Sequence, residues 1–186
     1  GIGKEGYFVE FGATNGVDLS NTFLLEKEFG WSGILCEPAK EWHDALHSNR
    51  TCALDTRCVY SETGGKIEFS ETTAGELSTI SSFVNSDENR KHRKNATSYE
   101  VETVTLNDLL AKHKAPRYVD FLSIDTEGSE FEILNGFDFA EYEFGLICVE
   151  HNFTENRGKI ESLLLKHGYS KVFPEYSKWD DWYVKG

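Results

Sequence analysis

The stretch that decides the fold is EFGATNG, residues 10–16, which directly follows the apolar run Tyr7-Phe8-Val9. An apolar run that reaches an acid and then two glycines is typical of a β-strand followed by a sharp turn. Glycine tolerates positive φ and lets another group approach the backbone closely. A helix that starts after such a turn would add free N–H groups for an anionic ligand group. The stretch alone fits either a plain turn or a ligand-binding loop.

Outward from this loop, strand-like and helix-like segments alternate along the chain. The predicted strands are residues 7–11, 33–37, 52–60, 118–125 and 145–151. The first predicted helix is capped by Asp18 and runs to about Phe29, with Phe23, Leu24 and Leu25 buried. The second begins at Pro38 and turns Trp42, Ala45 and Leu46 inward. Three more helices are predicted at residues 106–113, 129–137 and 155–168, and Gly136 and Gly168 are the stop signals of the last two. Such alternation predicts an α/β fold whose mostly parallel sheet is covered on both faces.

The remaining segments complete one predicted domain over residues 1–186. Residues 62–104 are rich in short strand-like runs and turn residues, which predicts a β-hairpin insertion with a mobile link at 85–97. The composition of residues 71–97 fits a lid over the substrate and equally fits a plain disordered loop. Residues 169–176 and 178–186 fit a closing antiparallel pair. We find no internal repeat and no second domain in the pattern.

Composition excludes several classes of protein. The net charge of −13 disfavours a nucleic-acid partner, and the basic run RKHRK at residues 90–94 is interpreted as a solvated loop. The longest apolar runs are too short to span a bilayer, so no membrane partner is expected. The four cysteines form no CxxC pair, which favours free thiols and a cytoplasmic protein. The sequence leaves open whether the chain was trimmed, whether its N-x-T triplets are used, and the oligomeric state.

Acidic residues stand at the ends of four predicted strands: Glu10, Glu37, Asp125 and Glu150. In open parallel sheets, ligands bind at the carboxyl ends of the strands. Polar loops would explain each acid singly, but they explain less well why an acid ends four strands. The sequence therefore predicts a binding site at this edge of the sheet.

The glycine loop and Glu37 together indicate a cofactor that contains adenosine. Glu37 comes about 20 residues after the loop, the spacing at which an acid accepts hydrogen bonds from ribose hydroxyls. Glu10 then distinguishes two cofactors, because an acid there would repel the pyrophosphate of NAD but suits the amino group and sulfonium of S-adenosylmethionine. The predicted cofactor-binding residues are Glu10, Gly12, Ala13, Asn15, Gly16, Glu37, Pro38, Val59, Tyr60 and Asp125.

Several of these runs carry a family resemblance. FVEFGATNG, GILCEP, GKIEFS, GELSTI, VETVTLNDLL and above all FLSIDTEGSEFEILNGF (residues 121–137) resemble the FkbM family of S-adenosylmethionine-dependent methyltransferases. The resemblance covers about residues 7–153, with Thr14 in place of a middle glycine. It implies a Rossmann-like class I methyltransferase fold, with a seven-stranded sheet of order 3-2-1-4-5-7-6. It also implies O-methylation of a hydroxyl on a sugar or small natural product.

Candidate catalytic residues follow the two central strands. Asp125 and Glu127 are candidates for substrate positioning or base catalysis, and His151 for proton transfer near neutrality. Val59 and Tyr60 mark the expected adenine wall. We expect no metal site, although the alternative is that Asp125, Glu127 and His151 ligate a divalent cation. Two other functions stay open, an NAD-linked oxidoreductase and a non-catalytic binding or scaffold domain; the expected partner is a small-molecule or glycan acceptor.

Overall fold

The computed structural model describes residues 5–71, 79–80 and 97–186. Within these ranges the strands are β1 (Tyr7–Phe11), β2 (Ser32–Cys36), β3 (Ala53–Asp55), β4 (Cys58–Val59), β5 (Lys66–Glu71), β6 (Thr79–Ile80), β7 (Thr97–Val104), β8 (Tyr118–Ile124), β9 (Glu143–Glu150), β10 (Tyr169–Val172) and β11 (Asp180–Lys185). The helices are α1 (Phe23–Lys27), α2 (His43–Asn49), α3 (Leu106–Lys112), α4 (Glu130–Asn135) and α5 (Asn156–Lys166), with a 3₁₀ turn at Lys40–Trp42. None of these helices combines the length and the apolar character that crossing a bilayer needs.

Seven strands form the main sheet in the order β3-β2-β1-β8-β9-β11-β10. The first five are parallel neighbours, and β11 runs antiparallel to both β9 and β10. Counted in chain order within this sheet alone, the strands read 3-2-1-4-5-7-6. The predicted class I fold and the closing antiparallel pair are therefore confirmed.

The central strand β1 is buried on both faces of this sheet. Phe8 packs into one apolar cluster with Leu35 and Leu46, while Val9 packs into the larger cluster on the opposite face. Successive side chains of a strand point to opposite faces, so one short apolar run supplies both halves of the core. Its carboxyl end, and hence the glycine loop, is held in place from both sides.

The prediction of one continuous strand over residues 52–60 is wrong, because this stretch contains the two separate strands β3 and β4. β3 stays in the main sheet, whereas β4 leaves it and pairs with β7 in a second sheet of order β4-β7-β5-β6. The break falls where the Asp55 carboxylate accepts hydrogen bonds from the backbone N–H and the guanidinium of Arg57. The predicted antiparallel pairing in the insertion is present between β5 and β7. Residues 72–78 and 81–96 lie outside the described ranges, so the lid and the link stay predictions.

The predicted first helix is also wrong in its bounds. α1 covers only Phe23–Lys27, and Leu24 is 62% exposed rather than buried. Asp18 caps no helix, because its carboxylate accepts a hydrogen bond from the Asn15 amide at 2.8 Å. Loop residues thus fill the space between the glycine turn and α1, and no helix N-terminus follows the turn directly.

The other helices agree more closely with the predictions. α2 begins at His43 after the 3₁₀ turn, and Leu46 is buried as expected. Thr105 caps α3, since its hydroxyl accepts a hydrogen bond from the Asp108 N–H. Gly136 ends α4 and α5 ends just before Gly168, as the helix-stop signals indicate.

Candidate functional site

A cavity of about 560 Å³ opens at the carboxyl ends of the parallel strands. β1 and β2 contribute Phe11 and Cys36, and β9 contributes Glu150. The loops that follow these strands and β8 supply the polar part of the wall. The cavity therefore lies at the edge of the sheet where the sequence predicts a site.

Gly12 lies beside the cavity, where the carboxyl ends of β1, β2 and β8 come together. It has φ +74°, and its N–H donates to the Cys36 carbonyl at 3.1 Å. A Cβ added there would lie 2.0 Å from the Asp125 carbonyl oxygen. Only glycine fits this position, and it brings the ends of β1, β2 and β8 together.

Glu37 links the glycine loop to the end of β2. One carboxylate oxygen accepts from the Thr14 N–H at 2.8 Å, and the other accepts from the Ala39 N–H at 2.9 Å. The side chain is buried against the cavity, and this burial raises the pKa of Glu37 to about 7. Each carboxylate oxygen keeps a second lone pair for a ligand.

Glu10 does not line the cavity but holds the segment that does. Its buried carboxylate accepts from Ser20 Oγ at 2.8 Å, from the Asn21 N–H at 2.7 Å and from Thr22 Oγ1 at 2.5 Å. Burial raises the pKa of Glu10, and these hydrogen bonds act against that rise. Ser20 and Asn21 themselves face the cavity. Contact of Glu10 with a cofactor stays a prediction.

Arg50 is a buried cation behind the loop that the sequence reasoning missed. Its guanidinium donates to Glu26 at 2.7 Å, to the Gly16 carbonyl at 3.0 Å and to Thr22 Oγ1 at 2.9 Å. The side chain is fully buried. No sequence motif marks it, because its partners come from distant parts of the chain.

The other loop residues predicted to bind the cofactor lie away from the cavity wall. Ala13 is fully buried beneath the loop. The Asn15 side chain accepts from the backbone N–H groups of Val17 and Asp18, both at 2.9 Å. Gly16 has φ +78° and packs against Arg50. These residues shape the loop from behind, and their direct binding roles stay predictions.

Asp125, Glu127 and Glu150 place carboxylate oxygens within 4.8 Å of one another. Burial raises the pKa of Asp125 to about 7, and burial together with the negative charge of the nearby Asp125 raises the pKa of Glu150. Glu150 Oε2 is buried without a hydrogen-bond partner in the described part of the chain. Such oxygens also suit a hard divalent cation, with Glu150 rather than His151 as the third ligand.

His151 lies behind the wall rather than on it. Its Nδ1 accepts from the Phe153 N–H at 3.1 Å, and its Nε2 is 3.8 Å from Asp181 Oδ1. Burial lowers the pKa of His151, which favours the neutral ring. The ring orients the loop after β9, where Asn152 donates to Glu127 at 3.2 Å. A direct catalytic role for His151 stays a prediction.

The wall expected for adenine includes Pro38 and Val59, but Tyr60 does not line the cavity. Phe69 of β5 and Ile80 of β6 contribute to the same side, which the sequence reasoning missed. Their alternating apolar pattern marks them as inward-facing, but it does not show which cavity they reach. The second sheet thus closes one side of the site.

Three exposed apolar side chains line the mouth of the cavity. Leu19 is 80% exposed, Phe153 is 63% exposed and Trp179 is 56% exposed. Leu19 and Phe153 also have positive φ, of 62° and 56°. Left-handed backbone at residues other than glycine costs about 1–3 kcal/mol each and concentrates at functional sites. We refer to these three residues as the apolar rim.

The model of the methyltransferase FkbM domain family matches residues 10–171 of this sequence. The match contains the glycine loop, the cavity acids Glu37, Asp125, Glu127 and Glu150, and the second sheet. No curated protein sequence matches the chain.

Two solved structures share this fold. The methyltransferase FkbM from Methylobacillus flagellatus KT superposes with a TM-score of 0.61 at 12% identity, over 99% of this chain and 44% of that one. A precorrin-6y C5,15-methyltransferase from Geobacter metallireducens GS-15 superposes with a TM-score of 0.50 at 13% identity, over 99% of this chain and 83% of that one. This chain thus spans less than half the length of the first structure, and at these identities the likeness concerns the fold alone.

Proposed function

Because the chain belongs to the FkbM methyltransferase family, we propose that it methylates a hydroxyl of a sugar or small natural product with S-adenosylmethionine. The observation that supports this proposal most directly is that Gly12 and Glu37 follow the adjacent strands β1 and β2 and line the same cavity. The first permits close approach to the backbone, and the second offers carboxylate oxygens to ribose hydroxyls.

The residues that line the cavity match the chemical groups of this cofactor. When bound, S-adenosylmethionine supplies an electrophilic methyl group carried on a positively charged sulfur. Glu37 would accept hydrogen bonds from the ribose, and the apolar side chains of Val59, Phe69 and Ile80 would hold the adenine. The carboxylates on the opposite wall complement the positive charges of the methionine part.

Asp125 and Glu127 are the proposed groups on the acceptor side. Both line the cavity beyond the glycine loop, so an acceptor hydroxyl there would meet carboxylate oxygens. A carboxyl group whose pKa lies near 7 can remove a hydroxyl proton and still be ionised at neutral pH. Asp125 meets this requirement, and Glu127 positions the acceptor.

The same wall argues against an NAD-linked oxidoreductase. Among the described residues of the cavity, Arg57 is the cation, and its guanidinium is already bound to Asp55 at 2.9 and 2.8 Å. The pyrophosphate of NAD would therefore face Glu37, Asp125 and Glu127 without a free counter-charge.

Calorimetric titration with S-adenosylhomocysteine and, in parallel, NAD tests the proposal. We expect binding of S-adenosylhomocysteine alone. Glu37→Ala should weaken that binding at least about tenfold, because charge-assisted hydrogen bonds to the ribose are lost. Glu28→Ala, which changes an exposed acid outside the cavity, is the matched control.

Binding of NAD, or unchanged affinity in a folded Glu37→Ala variant, would contradict the cofactor assignment. Incubation with methyl-labelled S-adenosylmethionine and a panel of hydroxylated acceptors then tests the transfer itself. A chain that binds the cofactor but labels nothing in the panel would instead fit a non-catalytic binding domain.

A further inference from the structure

The apolar rim is costly in the free protein. Leu19, Phe153 and Trp179 come from three different loops, yet all three line one cavity mouth with more than half of each side chain exposed. Two of them add the cost of left-handed backbone. Exposed apolar side chains gathered at a cavity are typical of a ligand contact.

The floor below this rim carries the opposite chemical character. Glu37, Asp125, Glu127, Glu150 and Asp180 all line the cavity. In the described part of the wall the one cation is Arg57, and Asp55 binds it in a bidentate pair. S-adenosylmethionine brings a single net positive charge, so the floor keeps an excess of acidic groups even with the cofactor bound.

Glu150 is an acid of this floor with one carboxylate oxygen that makes no hydrogen bond among the described residues. Its Oε2 is buried and has no partner within the described residues, although the side chain belongs to the cavity wall. A buried polar atom without a partner is unfavourable, because it has lost its hydrogen bonds to water. A donor on a ligand would remove that cost, and a cationic donor would also offset the repulsion among the neighbouring carboxylates.

From these two features we infer that the acceptor is amphipathic, with a protonated amine near the methylated hydroxyl and an apolar arm. The amine binds among Asp125, Glu127 and Glu150, and the arm packs against the apolar rim. This inference rests on the proposed function, because it assigns the substrate class of the same site. An anionic acceptor, such as a sugar phosphate or carboxylic acid, would face these acids, while Arg57 is already bound to Asp55.

Three probes with one apolar arm and different head groups test this inference: phenylbutylamine, phenylbutanol and phenylbutyrate. Each is titrated by calorimetry into the full chain, with and without saturating S-adenosylhomocysteine. We expect the amine to bind about tenfold more tightly than the alcohol, because its hydrogen bonds to carboxylates are charge-assisted. The carboxylate should show no binding.

Two variants measure separately what the acidic floor and the apolar rim contribute to the affinity for the probes. Glu150→Gln should reduce the affinity for the amine to that for the alcohol and leave the alcohol unchanged. Trp179→Ala should weaken the amine and the alcohol by about tenfold, because an aromatic contact is lost. Tyr176→Ala is the control, since Tyr176 is an exposed aromatic residue outside the cavity wall on the same loop.

Equal binding of the amine and the carboxylate, or no binding of any probe, overturns the inference. So does an equal loss in Tyr176→Ala and Trp179→Ala. Probe binding in the predicted order together with no binding of S-adenosylhomocysteine would instead contradict the proposed function and leave the amphipathic subsite in place. The two failures are therefore distinguishable.

Discussion

At the scale of single residues, the assignment of the cofactor site depends most on Gly12 and Glu37. Each lies at a strand end where a small change in side chain alters both the packing and the cavity. Gly12 is required by the close approach of the Asp125 carbonyl. The Glu37 carboxylate is needed because it is the hydrogen-bond acceptor for the backbone N–H groups of Thr14 and Ala39.

Gly12→Ala should destabilise the fold by about 2–4 kcal/mol, because it adds a backbone clash to the cost of positive φ. Gly64→Ala is the matched control. Gly64 has a similar φ of +79°, but a Cβ there meets nothing within 4 Å, so we expect a loss of about 1 kcal/mol. Urea unfolding measures both, and equal losses would show that the strand ends do not meet as described.

The affinity for S-adenosylhomocysteine should rise with pH. Burial raises the pKa of Glu37 to about 7, so its ionised fraction increases between about pH 6 and pH 8. The ionised carboxylate is the better acceptor for ribose hydroxyls, and we expect up to about a tenfold gain in affinity. Calorimetry at several pH values measures this gain, and Glu37→Gln should flatten the profile. If the affinity of the Glu37→Gln variant still rises with pH, another titrating group is responsible for the rise.

At the scale of elements, the segment between β1 and α1 depends on one buried cation. Arg50, next to the end of α2, donates to the Gly16 carbonyl and to two side chains of this segment, and it pairs with Glu26. Glu10 holds the same segment from the β1 side. The position of the cavity wall is therefore set by α2 and β1 together.

Arg50→Met should destabilise the protein by about 3–5 kcal/mol, because Glu26 and the Gly16 carbonyl lose a buried partner. Urea unfolding gives the free energy of unfolding. Arg117→Met is the control, since Arg117 is exposed and donates to the Ala140 carbonyl, and its loss should cost no more than about 0.5 kcal/mol. Similar losses in the two variants would contradict the structural role of Arg50.

At the scale of the whole molecule, two buried acids connect distant parts of the fold. Asp181 of β11 accepts from Arg157 and Lys171, and Asp55 of β3 accepts from Arg57 and Lys112. Burial acts to raise the pKa of each acid, but these hydrogen bonds outweigh burial and hold both pKa values below the ordinary range. Asp55 joins the edge strand β3 to α3, and Asp181 joins β11 to α5 and to the edge strand β10.

The free energy of unfolding should fall as the pH drops below about 4. The pKa of each acid is lower in the folded than in the unfolded chain, so the stability they add is present above the unfolded pKa and lost on acidification. Thermal unfolding between about pH 7 and pH 3 measures this loss. Asp55→Asn combined with Asp181→Asn should reduce the dependence on pH; an unchanged dependence would assign acid unfolding to other groups.

Prediction from the sequence was strongest where local patterns are sufficient. The helix over residues 106–113, Gly136 as a helix stop and the apolar run of β8 each depend on neighbouring residues. Prediction was weaker where the chain interacts across long separations. Asp18 was expected to cap a helix, but its carboxylate binds Asn15, and the hydrogen bonds of Glu10 hold the following residues in a loop.

The sequence by itself determined the class I fold, the family and the edge of the sheet at which the site lies. Strand–helix alternation and glycine turns depend on local propensities, and parallel strands bring their carboxyl ends to one edge. Only the tertiary structure decided which side chains face the cavity. Glu150 and Phe69 reach it while Glu10, Tyr60 and His151 do not. That choice depends on packing between residues far apart in the chain, which no local pattern records.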